Sequence, residues 1–230
     1  MKNQNSPVAT SFEQILETRF SKEKAHSWLN EYSAKYNELM TCYRCALMEI
    51  ETKFKVLNEE FSLYDDINPI ESIKCRLKSP ESIVDKLIRK DLPVTAESIE
   101  ENLNDIAGIR IITAFKSDIY KLSEALIGQD DIVLIEKKDY IKKPKPNGYR
   151  SLHLIVGVPI FLHNKKKIMK VEVQFRTLAM DMWASIEHKL KYKKNVTLSE
   201  QQSSTLHGCS ELSDLLDSRM EKLYRDVSKR

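Results

Sequence analysis

IMKVEVQFR, residues 168–176, alternates apolar and polar residues closely enough to fix its local structure. Successive side chains of a strand point to opposite faces. Val171, Val173 and Phe175 therefore share one face, and Glu172, Gln174 and Arg176 share the other. A carboxylate on the polar face of an inner strand is costly to bury unpaired, so Glu172 needs a cation. Two solutions stand side by side. Glu172 pairs with Arg110 or Arg176 as an ordinary salt bridge, or it joins a second acid, Asp105, placed in NDIAGIR just before another strand. Two carboxylates with phosphate oxygens and water suit Mg²⁺, which commonly takes only one or two protein carboxylates.

Outward from this strand, others read at ESIKCRLK (71–78), GIRIITAF (108–115), IVLIEK (132–137) and SLHLIVGV (151–158). The first passes directly into SPESIVDKLIRK, where Ser79 is a good N-cap, Pro80 takes the first helical position and Glu81 lies in the first turn. Ile83, Val84, Leu87 and Ile88 form its expected buried stripe, with Ser82, Lys86 and Arg89 on a neighbouring face. A further helix starts at Ser117, and two more close the chain at about 178–194 and 199–228. Before all of these, apolar residues recur at 25, 28, 29, 32, 36, 39, 40, 43, 46, 47, 50, 54 and 57, helical spacing sustained for about nine turns. That helix either packs on the core or self-associates. A polar turn at 65–69 ends it.

The order βαβαβββα predicts a mixed sheet of about five strands flanked by helices, α/β or α+β. Its expected limits are a helical region over 1–70, a catalytic unit over 71–194 and a C-terminal helix over 195–230. With 230 residues, 41% hydrophobic and 31% charged, the chain reads as soluble and globular. No apolar run approaches the roughly 18 residues of a membrane helix, and MKNQNSPVAT lacks the apolar centre of a signal peptide, so the expected location is cytoplasmic. Four cysteines, at 42, 45, 75 and 209, do not form a disulfide framework at this length.

A net charge of +3 conceals segregation. Basic residues crowd 74–90, 137–150, 165–170 and 189–194, while acids gather at 65–66, 97–101 and 130–131, which points to a local anion site. KKPKPNGYRSLHLIV (142–156) is the sharpest case. Asn147-Gly148 signals a turn and prolines 144 and 146 stiffen the approach, so Lys142, Lys143 and Lys145 are presented with restricted freedom. Such a loop suits polyphosphate; equally, it is what a solvated hairpin tip looks like. Tyr149 follows the glycine, where an exposed ring can stack on a base. Ser151 and His153 share one face of the strand beyond. Arg76, Lys78, Lys86, Arg89 and Arg110 form a further cationic set that, converging with two acids, suits a nucleoside triphosphate with its metal.

On helix 178–194, Met182, Trp183, Ile186 and Leu190 are apolar, while Ala184, Glu187, His188 and Lys191 follow helical spacing on another face. Glu187-His188 lacks the H-E-x-x-H spacing of a zinc site, and Walker A, G-x-G-x-x-G and G-x-S-x-G motifs are absent from the sequence.

RLKSPESIVDKLIRK, DIAGIRI, DYIKKPKPNGYRSLH and VEVQFRT together resemble the synthetase domain of the RelA/SpoT family, and AMDMWASIEHKLKYK closely resembles its stand-alone branch, the small alarmone synthetases. The resemblance covers about 71–194. It implies a nucleotidyltransferase-like synthetase that transfers the β,γ-pyrophosphate of ATP to the 3′-hydroxyl of GDP or GTP, making the stringent-response alarmones ppGpp or pppGpp. Carried onto matching positions, Arg76, Lys78, Ser82, Lys86, Arg89 and Arg110 hold ATP, while Asp105 and Glu172 hold Mg²⁺. Glu172 also takes the proton of the acceptor hydroxyl. Tyr149 stacks on guanine with Asn147 and Ala184 near its edge, Lys138, Lys145 and His153 meet the acceptor phosphates, and Gln174 orients the ribose. The branch typically forms homotetramers through its terminal helices, here 23–57 and the helix after Ser199, and some members respond to product or RNA. Long members carry a hydrolase domain with a His-Asp pair; the sequence has no His-Asp dipeptide, so alarmone hydrolysis is not expected. Two rival readings are a nucleotide- or RNA-binding module without turnover, and a pyrophosphokinase acting on adenosine nucleotides or tRNA.

Overall fold

The computed structural model describes residues 22–63, 68–192 and 198–228, with side chains at 34–63, 68–190 and 198–228. The MKNQNSPVAT segment, turn residues 65–67 with their acids, the basic pair 193–194 and the side chains at 25, 28, 29, 32 and 191 lie outside the described residues.

The chain runs α1 (Lys22–Ser62), β1 (Ile70–Leu77), α2 (Pro80–Arg89), α3 (Ala96–Asn102), β2 (Ala107–Thr113), α4 (Lys116–Ile127), β3 (Val133–Asp139), β4 (Leu152–Phe161), β5 (Lys166–Thr177), α5 (Leu178–Tyr192) and α6 (Glu200–Ser228). This is the expected order with one addition, α3. Thr95 caps α3, its hydroxyl accepting from Ser98 N, but seven residues are too few to stand as an isolated helix. Burial of Ala96, Ser98 and Ile99 holds it in place.

The five strands lie in the order β1-β2-β5-β4-β3. β2 and β5 are parallel and every other pair is antiparallel. β5 is therefore central, with two strands on each side. One face of the sheet carries Val171, Val173, Phe175, Ile109 and Ile111, all essentially inaccessible. Against it α1 lays Tyr36, Leu39, Tyr43, Ala46, Ile50 and Phe54 in the same continuous core, and Phe54 meets Phe175 edge to face at 5.6 Å. The long helix thus spends its apolar stripe on its own sheet. Cys42 is buried in that stripe, Cys45 is half-buried, and both are free thiols.

Ser79 and Pro80 begin α2 as expected, with the Ser79 hydroxyl accepting from Ser82 N. Ile83, Val84 and Leu87 are buried, but Ile88 is 47% exposed, because it sits at the margin of the stripe in the last turn. α5 and α6 pack together beyond the end of β5. Among the described residues no helix is long and apolar enough to cross a membrane.

Candidate active site

The second face of the sheet is polar, and strand register organises it in rungs. One rung crosses all five strands as Lys74, Arg110, Gln174, His153 and Lys138. The next runs Arg76, Gly108, Glu172, Ile155 and Glu136. Residues 70–80, 100–113, 133–139 and 152–177 thereby converge, although they are distant in sequence.

Glu172 lies at the junction of two cavities. The first is about 390 Å³ and includes Arg76, Lys78, Asp105, Gly108, Arg110, Glu172 and Gln174 in its wall. The second, about 210 Å³, is walled by Glu136, Lys138, Tyr140, Lys145, His153, Ile155 and Glu172. Asp105, in the connection that leads into β2, and Glu172, on the adjacent β5, thus open onto the same space. Gly108, directly opposite Glu172, adds no side chain to the cavity wall beside the carboxylate.

Each acid is held by its own donors. Lys78 Nζ lies 2.9 Å from Asp105 Oδ2 and Lys86 Nζ 2.7 Å from Oδ1. Burial works to raise the Asp105 carboxyl, but the two ammonium groups outweigh it and hold the group below its ordinary range. For Glu172 burial again pushes upward, opposed by His153, whose Nδ1 is 3.2 Å from Oε1, and by the Gln174 amide, 2.9 Å from Oε2. The balance is a lowered pKa, with the charge of Asp105 acting against it. Glu172 is therefore a carboxylate at neutral pH, and neither Arg110 nor Arg176 pairs with it. Both arginines go instead to Asp181 on α5, at 3.1 and 3.0 Å.

No three His, Cys, Asp or Glu side chains cluster to hold a metal among the described residues. Asp105 and Glu172, two carboxylates on one cavity, are the donor set that Mg²⁺ uses when phosphate oxygens and water complete its shell.

Arg76, Lys78 and Arg110 line the first cavity, and Lys86 reaches it through Asp105. Ser82 is engaged in the α2 cap and Arg89 is exposed at the helix end. Lys138, Lys145 and His153 line the second cavity, and Gln174 touches the first beside Glu172. Lys142 and Lys143 are exposed, with the Lys142 ammonium 5.1 Å from the Tyr120 ring. Tyr149 is not an exposed platform: it is half-buried, its hydroxyl 2.8 Å from His153 Nε2 and accepting from Arg176 Nη2 at 2.9 Å. The Arg176 and Lys145 cations lie 5.2 and 5.1 Å from its ring. Asn147 serves the loop, its Oδ1 accepting from Tyr149 N and its amide donating to Glu187 on α5. Ala184 is buried and lines neither cavity, and His188 is exposed. Ser151 precedes β4, so strand alternation does not govern it; its buried hydroxyl donates to Phe175 O.

Three residues escaped the sequence reading. Tyr140 walls the second cavity and meets His153 edge to face at 5.4 Å, and its position in DYIKK between two cationic runs was the available signal. Lys74 occupies the rung beside Arg110 and was visible as the polar partner of Arg76 in an alternating strand. Asp181 gave no local signal at all. Ser210 on α6 donates to Gly148 O, tying the basic loop to the C-terminal helix.

A family model described as a region found in RelA/SpoT proteins matches residues 75–197. The chain is 45% identical over 191 residues to the GTP pyrophosphokinase YwaC of Bacillus subtilis, covering 83% of this chain and 90% of that one. It is 36% identical over 193 residues to GTP pyrophosphokinase YjbM of the same organism, covering 84% and 90%. The small alarmone synthetase 1 of B. subtilis superposes with a TM-score of 0.76 at 36% identity in its complex with its product pppGpp, covering 84% of this chain and 98% of that one. Bound to AMPCPP, it superposes with a TM-score of 0.71 at 33% identity, covering 85% and 99%.

Proposed function

This chain belongs to the RelA/SpoT family, and from that membership we propose that it is a small alarmone synthetase, a GTP pyrophosphokinase that moves the β,γ-pyrophosphate of ATP to the 3′-hydroxyl of GDP or GTP. The observation that carries the reading is the position of Glu172 on the wall of both cavities. A group on both walls is placed to act where the two nucleotides meet during transfer.

In this reading the cavity of Arg76, Lys78 and Arg110 takes ATP, and the cavity of Lys138, Lys145 and His153 takes the guanine nucleotide. Pyrophosphoryl transfer asks a protein chiefly for alignment and neutralisation of charge. The donor cations grip the phosphates, with Lys78 and Lys86 also holding Asp105. Asp105 and Glu172 would hold Mg²⁺, which when bound neutralises phosphate charge and fixes the donor's geometry. Glu172, ionised and oriented by His153 and Gln174, accepts the proton of the attacking hydroxyl. Tyr140 lines the acceptor cavity and Tyr149 packs edge to face behind it at 6.1 Å, aromatic surface for the base.

The reading extends to assembly and place. α1 buries its apolar face on the sheet, so α6 is the terminal helix left to build a homotetramer. Leu212, Leu216, Met220, Leu223 and Val227 are exposed along it, and a groove of about 740 Å³ lies between it and Met182, Ile186 and Leu190 of α5. The expected compartment is the cytoplasm, where both nucleotides are found.

The test is an acceptor panel. γ-Labelled ATP with Mg²⁺ and GDP, GTP, ADP or tRNA is expected to give labelled product with the guanine nucleotides; label on ADP or tRNA alone, or on none, contradicts the reading.

A further inference from the structure

Asp181 lies in the first turn of α5, 9% exposed, and gathers three cations. Its Oδ1 accepts from Arg110 Nη1 at 3.1 Å and from Arg176 Nη1 at 3.0 Å, and Lys74 Nζ lies 3.4 Å from Oδ2. Arg110 and Lys74 line the donor cavity. Arg176, 6% exposed, turns its other amine to Tyr149 Oη and so leads to the acceptor cavity.

Donor and acceptor capacity orders the contacts beyond that point. A guanidinium can only donate and a carboxylate only accept. Glu172 Oε1 can only accept, so His153 presents a proton on Nδ1, 3.2 Å away. In the neutral ring Nε2 then accepts from the Tyr149 hydroxyl at 2.8 Å, whose oxygen accepts from Arg176. A continuous polar path runs from Asp181 through Arg176, Tyr149 and His153 to Glu172, while a second branch runs from Asp181 to Arg110.

We propose that Asp181 is a positioning residue shared by the two nucleotide sites, holding Arg110 for the donor and, through Arg176 and Tyr149, ordering His153 for the acceptor. Without its charge, two guanidinium groups and an ammonium would crowd one another; Arg110 already has its pKa lowered, by burial first and then by Arg176. This rests on assigning the two cavities to ATP and to the guanine nucleotide.

The test measures binding and turnover separately, with calorimetric titration of AMPCPP and of GDP into wild type, Asp181→Asn and Asp181→Glu, alongside melting temperatures. Loss of charge-assisted hydrogen bonds on both branches is expected to weaken both ligands about tenfold in Asp181→Asn. Asp181→Glu, which keeps the charge one methylene away, is expected to fall between the two for both ligands. If only one ligand weakens, or neither, with the protein folded, the shared role is wrong. Should Asp181→Asn fail to fold, the same criterion applies to Asp181→Glu. Because affinity is read without turnover, an absence of alarmone synthesis by wild type would count against the proposed function and leave this test intact.

Discussion

Tyr149 and His153 meet edge to face, ring centroids 5.8 Å apart, with the phenol oxygen 2.8 Å from His153 Nε2. The contact joins the loop that precedes β4 to the strand itself, and it places the aromatic ring against the residue that orients Glu172. In the proposed reading Tyr149 would serve the acceptor side twice, by its ring and by its hydroxyl.

For Tyr149→Ala, removal of a base-stacking surface worth about 1–3 kcal/mol is expected to raise the KM for GDP by roughly 5- to 160-fold. The KM for ATP should stay near its wild-type value. Steady-state kinetics with each nucleotide varied in turn checks this; an unchanged KM for GDP would remove Tyr149 from the acceptor site.

The loop's own geometry gives a second prediction. Gly148 has φ of 90°, in the left-handed region that side chains rarely adopt. A Cβ there would come within 2.8 Å of Ser210 Cβ on α6. Gly148→Ala must thus strain the backbone, at about 1–3 kcal/mol, or release the loop from the helix. We expect weaker GDP binding and an unchanged affinity for AMPCPP, read by titration. Equal loss for both ligands would show that the substitution damages the whole fold and not the acceptor loop.

How far the sequence discloses this site depends on the range of the interaction. Alternation in VEVQFR is local, so the polar face of Glu172, Gln174 and Arg176 could be read directly, as could the Ser79-Pro80 start of α2. The insertion of β5 between β2 and β4 is a pairing of distant segments that periodicity does not encode. Asp181 illustrates the same limit. Within AMDMW it is one polar residue near a helix start, and its partners Arg110 and Lys74 stand 71 and 107 residues away. The rung of Lys74, Arg110, Gln174, His153 and Lys138 becomes visible only once register is known. Tyr149 was expected in solvent because a turn residue usually is; Arg176 and His153, brought in by other strands, draw it inward.

Asp217 on α6 supplies a pH-dependent prediction. Its carboxyl accepts from Thr177 Oγ1 at 2.6 Å and is pushed up to about 6, by burial first, with Asp214 and Glu221 adding to the rise and Thr177 and Lys116 opposing it. Because the folded value lies above that of an ordinary aspartate, the folded state binds more protons between the two. The contribution of this group to stability is full below about pH 4 and is lost as pH rises through 6. Asp217→Asn is expected to melt higher than wild type at pH 7.5, by an amount on the order of 1–3 kcal/mol, with the gap closing toward pH 4. Melting curves from pH 4 to 8 decide it, and a gap that does not change with pH would refute the assignment.

In the proposed function one carboxylate, Glu172, serves both nucleotides. The most direct measurement of this role is product formation by Glu172→Gln from γ-labelled ATP and GDP with Mg²⁺, beside titrations of GDP and AMPCPP into the same preparation. Glu172→Gln is expected to fold, to retain measurable GDP binding and to form no labelled guanosine product. Product formation at the wild-type rate would contradict the role.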